Sequence, residues 1–366
     1  MVKLFLGRYA LRLMLIGVWL LLAIVALAIL RWEYFSKPEN SITVFTWGGL
    51  IDPHYIKQFE QQTGIKVTIS YYSTNEELLV TMKATNGRGY DLIVPSDYAV
   101  NILRKQGILK KIDKSKLTFL NSLDPLLLGR DFDQTNDYSL PYAWEIFGFG
   151  IDKDYFSSIQ FDKFSWKTVF CTPLGFKITM VNDPIEAALF GYYYLYGTEP
   201  QNIPIIKEQR DKIEKALLCQ KKWVEAYTDF RADYFLITRN CPLVVTSSSY
   251  ILRSMREYPY IDFVIPQDGS FITIENMAIP IASSKESLVY KFLNFLYSLR
   301  AFKHHYGLYA FLPALKPDFA QEMGLDKGSF KLLEQFHQAS SRFSFFRPIM
   351  PEVALQRLWV GVKSNI

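Results

Sequence analysis

An unbroken apolar run from Leu13 to Leu30 stands apart from the mixed pattern that follows it. Eighteen residues at about 1.5 Å each give roughly 27 Å of helix, enough to cross a hydrocarbon core. Lys3, Arg8 and Arg12 precede the run and Arg31 ends it. That charge bias predicts a cytoplasmic N-terminus and export of everything downstream. Ala26-Leu27-Ala28 has the small-residue pattern of a cleavage site, but it sits inside the run, so an uncleaved transmembrane anchor is favoured over a signal peptide. No Cys follows the run, which excludes lipid attachment there.

Residues 31–40 (RWEYFSKPEN) read as a linker, and after them the pattern alternates regularly. Ser41 to Trp47 is a strand by its β-branched and aromatic content. Asp52-Pro53 opens a helix that Gly64 closes, and Ile65 to Tyr72 forms the next strand. A helix over 76–85, a short buried strand over 91–95 and a helix over 98–106 follow. Strand and helix at such short intervals predict a mostly parallel sheet covered on both faces. Ligands bind such sheets beyond the carboxyl ends of the strands, which nominates Trp47 and Ser96-Asp97-Tyr98 by position alone. Beyond an extended stretch over 142–152 comes a second set: a strand over 177–181, helices from Pro184 and over 207–220, and strands over 241–246, 263–266 and 271–280. A helix over 285–298 follows, and the last fifty residues read as short helices.

At 366 residues, 49% hydrophobic and 16% aromatic, the chain can bury the cores of two lobes. Its net charge of +5 is dispersed, with no basic run interleaved with aromatics, so nucleic-acid binding has little support. The basic stretch from Leu109 to Lys116 reads as a solvated turn. The three cysteines, Cys171, Cys219 and Cys241, have no metal-ligand spacing and read as small buried residues, with one disulfide as the lesser reading. The histidines share no metal spacing, and no nucleophile elbow, Walker loop or HExxH is present, so an enzyme is not expected. No cofactor is expected either.

Long stretches then match one family. QFEQQTGIKVTISYYSTNEEL (58–78), GYDLIVPSDYAVNILRKQGILKKIDKSKL (89–117), SLDPLLLGRDFDQTNDYSLPYAW (122–144) and MAIPIASS (277–284) resemble the periplasmic spermidine/putrescine-binding proteins of polyamine ABC transporters. The resemblance spans residue 41 to about 310. It implies an α/β fold of two lobes that close over a ligand by bending at a hinge. Residues 1–40 would be the anchor and linker, 41–143 with 275–315 one lobe, and 144–274 with 316–366 the other. Crossings are expected near Ala143–Glu145, Ile272–Glu275 and Pro313–Pro317. The implied function is capture of a polyamine or related cation for ABC permease subunits, by a monomer in the periplasm held at the inner membrane.

A polyamine is an apolar rod with an ammonium at each end, so its site needs carboxylates with aromatic faces between them. Carried over position by position, the resemblance implies ligand contacts by Trp47, Ser96, Tyr98, Asp183, Glu186 and Glu275. Each has a structural reading as well. Asp183, Pro184 and Glu186 also spell a helix start, Ser96 a helix cap, Trp47 and Tyr98 core rings, and Glu275 a lone surface residue. The sequence departs from the family at Gly49 and Leu50, where a carboxylate and a tyrosine are expected, and at Thr246 and Thr273, where tryptophans are. Asp97 is an added acid. These departures keep a second reading open, a same-fold binder or sensor of another solute: a different cation, ferric iron or a thiamine-like compound, without a permease. Tyr192-Tyr193-Tyr194 could bind ferric iron, but their helical setting favours packing.

Overall fold

The computed structural model describes residues 14–26, 40–160, 163–170, 175–228 and 231–364. Residues 14–26 form an exposed helix, α1, while 13, 27–30 and the linker over 31–39 lie outside the described residues, as does Cys171. Among the described residues no helix is long and apolar enough to cross a membrane, so the structure gives the expected transmembrane anchor no support.

The first sheet forms as the alternation predicts. Strand β1 (Ser41–Trp47) leads into α2 (Pro53–Thr63), then β2 (Lys66–Tyr72), α3 (Asn75–Thr85), β3 (Leu92–Ile93) and α4 (Asp97–Lys105). Asp52 caps α2 through the His54 N–H, Pro53 starts it, and Gly64 ends it in the left-handed conformation at φ 70°. Thr74 caps α3 through the Glu77 N–H. β1 lies between β2 and β3 and is parallel to both.

The second sheet is larger and mixed. Its strands are β4 (Leu140–Asp152), β5 (Ile178–Val181), β6 (Val224–Thr228), β7 (Leu243–Ser247), β8 (Ile261–Val264), β9 (Ser270–Met277), β10 (Leu312–Pro313) and β11 (Phe343–Phe345). The main order is β11-β9-β4-β7-β5-β6, with β8 and β10 also paired to β4. Helices α5 (Pro184–Tyr196), α6 (Lys207–Lys221), α7 (Asp233–Ile237), α8 (Ser248–Met255), α9 (Glu286–Leu296), α10 (Leu299–Tyr309), α11 (Ala320–Met323), α12 (Lys327–Gln338) and α13 (Glu352–Ser364) connect and cover the strands. The C-terminal region therefore differs from the short helices expected. It carries two full helices, α12 and α13, and a strand, β11, parallel to β9. Phe343 and Phe345 are too few to show a period, and only pairing with β9 makes them a strand.

β9 joins the two sheets. β9 runs antiparallel to β4 as far as Met277, with a bulge in β4 between Pro141 and Ala143. The far end of β9 turns to the small sheet: the Asn276 and Ala278 N–H groups donate to the Pro95 and Ile93 carbonyls, both at 2.9 Å. Ala143 sits opposite both Glu275 and Pro313, so the three expected crossing points lie side by side.

Cys219 and Cys241 are free thiols. The three tyrosines pack within α5: Tyr192 against Tyr196, Tyr194 on Phe170, and Tyr193 donating to the Ser270 carbonyl. Among the described residues no group of three or more His, Cys, Asp or Glu could hold a metal ion.

β4 needs glycine where β8 crosses closely. A Cβ on Gly148 would lie 2.7 Å from the Val264 carbonyl oxygen, a backbone atom that cannot rotate away. Gly148→Ala is expected to lower unfolding stability by about 1–3 kcal/mol, checked by chemical denaturation. An unchanged midpoint would show that β8 shifts freely.

Candidate functional site

A cleft of about 790 Å³ opens between the strand ends of the small sheet and those of the large one. All six residues expected in a site line it: Trp47, Ser96, Tyr98, Asp183, Glu186 and Glu275. So do Gly49, Leu50, Thr246 and Thr273, the positions where larger or charged groups were expected. Asp97 does not; it is fully buried behind the wall, with Oδ1 accepting from the Tyr98 N–H.

Glu275 is the centre of the arrangement. It sits on β9 where that strand leaves the large sheet, and its two oxygens are held from opposite sides. The Trp47 indole Nε1–H donates to Oε2 at 2.6 Å, and the Ser96 hydroxyl donates to Oε1 at 2.7 Å. Trp47 is fixed by its place at the end of β1 and by contact with the Tyr72 ring at 4.5 Å. Ser96 also accepts from Asn75 Nδ2 at 3.0 Å, which fixes its hydroxyl between the two partners. It stands at the N-cap position of α4 but does not cap it through its side chain, which is turned to Asn75 and Glu275 instead.

Burial pushes Glu275 up to about 8, against the two hydrogen bonds that favour its charged form; the Glu145 carboxylate adds to the rise. Glu145 was missed in the sequence. It lies on β4 opposite Thr273, lines the same cleft, and is hydrogen-bonded to Ser247 and Ser249. Burial raises its pKa as well. The signal was present: a charge in the middle of a strand whose other charged residue, Asp152, stands at its end (LPYAWEIFGFGID).

Two further groups complete the walls. Tyr98 is buried at 7% exposure, donates through its hydroxyl to Glu76 at 2.9 Å and contacts the Phe346 ring at 5.4 Å, so it is both core and cleft. Asp183 caps α5, its Oδ1 accepting from the Ile185 and Glu186 N–H groups at 2.7 and 2.9 Å. Its helix-start reading therefore holds, and the residue faces the cleft as well. Across from these, Arg231 is bound to the buried Asp233, and Arg253 lies 5.7 Å from the Tyr250 ring. Five carboxylates against two guanidiniums leave the lining acidic. Such a cleft suits a cation.

The bacterial extracellular solute-binding protein family matches residues 54–320. The chain belongs to that family. It is a family of binding proteins rather than of enzymes. The spermidine/putrescine-binding periplasmic protein of Escherichia coli (strain K12) is 30% identical over 285 residues, which cover 75% of this chain and 78% of that protein. The putrescine/cadaverine-binding protein of Pseudomonas aeruginosa is 28% identical over 353 residues, 90% of this chain and 95% of that one. Among solved structures, a putative spermidine/putrescine ABC transporter from Listeria monocytogenes superposes with a TM-score of 0.75 at 24% identity, covering 89% of this chain and 99% of that one. The fold is accordingly the mixed α/β fold of periplasmic binding proteins.

A neutral Glu275 carries a stability cost. Ordinarily near 4.5, it holds its proton in the folded state up to about 8. Between those values the folded state keeps a proton that the unfolded chain has lost, so stability falls as pH rises through the window and the loss is complete above it. Solvent reaching the cleft reduces the size of the effect. Glu275→Gln, which keeps a hydrogen-bonding side chain and cannot ionise, is expected to melt about 2–4 °C above wild type at pH 9 and within a degree of it at pH 5. Equal melting curves at pH 9 would show that Glu275 ionises without cost.

Proposed function

We propose that this solute-binding protein captures a polyamine, or a close relative among small organic cations, in the cleft around Glu275 and delivers it to an ABC permease. The observation that carries the reading is the Glu275 carboxylate, held by Trp47 and Ser96 in an acidic, aromatic-walled cleft. An ammonium there gains charge-assisted hydrogen bonds of about 1.5–3 kcal/mol each and an aromatic face worth about 0.5–2 kcal/mol. Two or three such contacts reach micromolar affinity, about −8 kcal/mol. The names of the relatives from Escherichia coli and Pseudomonas aeruginosa point to the same class of ligand.

In this reading Trp47, Ser96, Tyr98 and Glu275 contact the ligand from one lobe (41–143 with 275–315), and Asp183 and Glu186 from the other (144–274 with 316–366). Bending of β4 and β9 brings the lobes together. The protein works outside the cytoplasm, exported through the basic-flanked run over 13–30. That run also supplies the membrane anchor of the proposal, on sequence grounds alone.

Calorimetric titration of the purified chain tests the ligand class. Putrescine and spermidine are expected to bind with Kd of about 1–100 μM, and the uncharged 1,4-butanediol not at all. Absence of binding by every di- and polyamine up to about 1 mM would sink the assignment. Asp183→Asn keeps a helix cap and removes the charge, so it separates the two roles of that residue. It is expected to weaken putrescine binding by about 1–3 kcal/mol with little change in melting temperature, and Glu186→Gln likewise. Wild-type affinity in both variants would leave these residues as helix-start residues only.

A further inference from the structure

Glu145 and Glu275 stand diagonally on paired strands. Glu145 faces Thr273 and Glu275 faces Ala143, and all four line the cleft on one face of the ladder. Diagonal neighbours of this kind lie within reach of each other when the side chains are long. Among the described residues neither carboxylate has a cationic partner at ion-pairing distance, and the nearby Arg231 is taken up by Asp233. Two carboxylates so placed, without a cation, repel each other unless one of them is neutral.

We propose that Glu145 joins Glu275 in the binding machinery, and that the pair holds one proton when no ligand is bound and releases it when the ligand's ammonium group takes its place. The inference rests on the reading of the cleft as a cation site and names a residue and an exchange which that reading lacks. Loss of the proton to solvent balances arrival of the ammonium: two negative charges then face one positive charge, where before there was one negative charge and one neutral acid. Glu145 also supplies an acid on the large-sheet side, which offsets the missing carboxylate at Gly49.

The surroundings favour the proton on Glu275. Tyr72 of β2, the buried Asp97 of α4 and Glu145 of β4 all face it, and none is a cation. Its two donors, Trp47 and Ser96, are neutral. Glu145 faces the Ser247 and Ser249 hydroxyls and Tyr250 of α8. Arg231 and Arg253 bear on Tyr250, beyond the pair. Burial raises both carboxylates, Glu275 to about 8, so at neutral pH the free protein carries the proton to be exchanged.

The hydrogen bond from Trp47 makes Glu275 readable by fluorescence. Tryptophan emission of the full chain is followed from pH 5 to 10, and the component lost in both Glu275→Gln and Trp47→Phe is assigned to this contact. A midpoint near 8 is expected in the free protein. Putrescine at saturation should lower it by about one pH unit or more, because the ammonium favours the ionised pair. In Glu145→Gln the amine concentration needed for that shift should rise on the order of tenfold. A free-protein midpoint below 6 would overturn the proposal, as would an unchanged amine requirement in Glu145→Gln. If calorimetry shows putrescine bound while the midpoint stays fixed, the exchange is wrong and the ligand assignment stands. If no amine binds, and methylammonium at high concentration also leaves the midpoint in place, both fall.

Discussion

The fold turns on a single constraint: β9 is a strand of the large sheet whose end is also bridged by hydrogen bonds to the small one. Its first residues are paired in the large sheet and its last are bonded to the carbonyls that follow β3. Whatever side chain stands at the point of transfer is enclosed by both bodies. Here it is Glu275, and the cost of enclosing a carboxylate is met by donors from the small sheet, Trp47 and Ser96, while the large sheet contributes the adjacent Glu145. Moving Glu275 by two residues along β9 would separate it from these donors. The chemistry of the cleft is thus set by strand register as much as by residue type.

Much of the small sheet was legible, because its elements carry their own punctuation. Asp52-Pro53 and Gly64 bracket α2, Thr74 starts α3, and β1 is rich in β-branched residues. Trp47, Ser96 and Tyr98 were nominated by their place at strand ends, Asp183, Glu186 and Glu275 only through the resemblance, and the structure gathers all six around one space. What stayed hidden depends on contacts distant in sequence. β11 exists only through pairing with β9. Ser96 sits where a cap belongs and serves another partner, which no local pattern reveals. Glu145 shows itself as a charge in an apolar strand, but its neighbour lies 130 positions away by residue number, since Glu275 meets it only across the ladder. The apolar run over 13–30 is a strong local signal of which the described residues include 14–26, all of them helical.

Changes in the walls and in the floor of the cleft go together. Thr246 and Thr273 leave room where the family pattern has tryptophans, and Thr273 is the residue directly opposite Glu145. A bulky ring at 273 would crowd the space above the Glu145 carboxylate. The threonine leaves that acid open to the cleft, which the proposed exchange at Glu145 requires.

The bulge between Pro141 and Ala143 has a mechanical meaning. It falls one residue from the place where β4, β9 and β10 lie side by side, and it leaves the ladder with a position that does not pair in register. Such a position absorbs twist by rotating backbone dihedrals, whereas a regular ladder must stretch its hydrogen bonds. In the proposed reading of a cleft that closes by bending, this is the place where the two sheets would turn against each other, with the ladder paired on either side of it. On that reading the joint would act as a torsion spring rather than a latch.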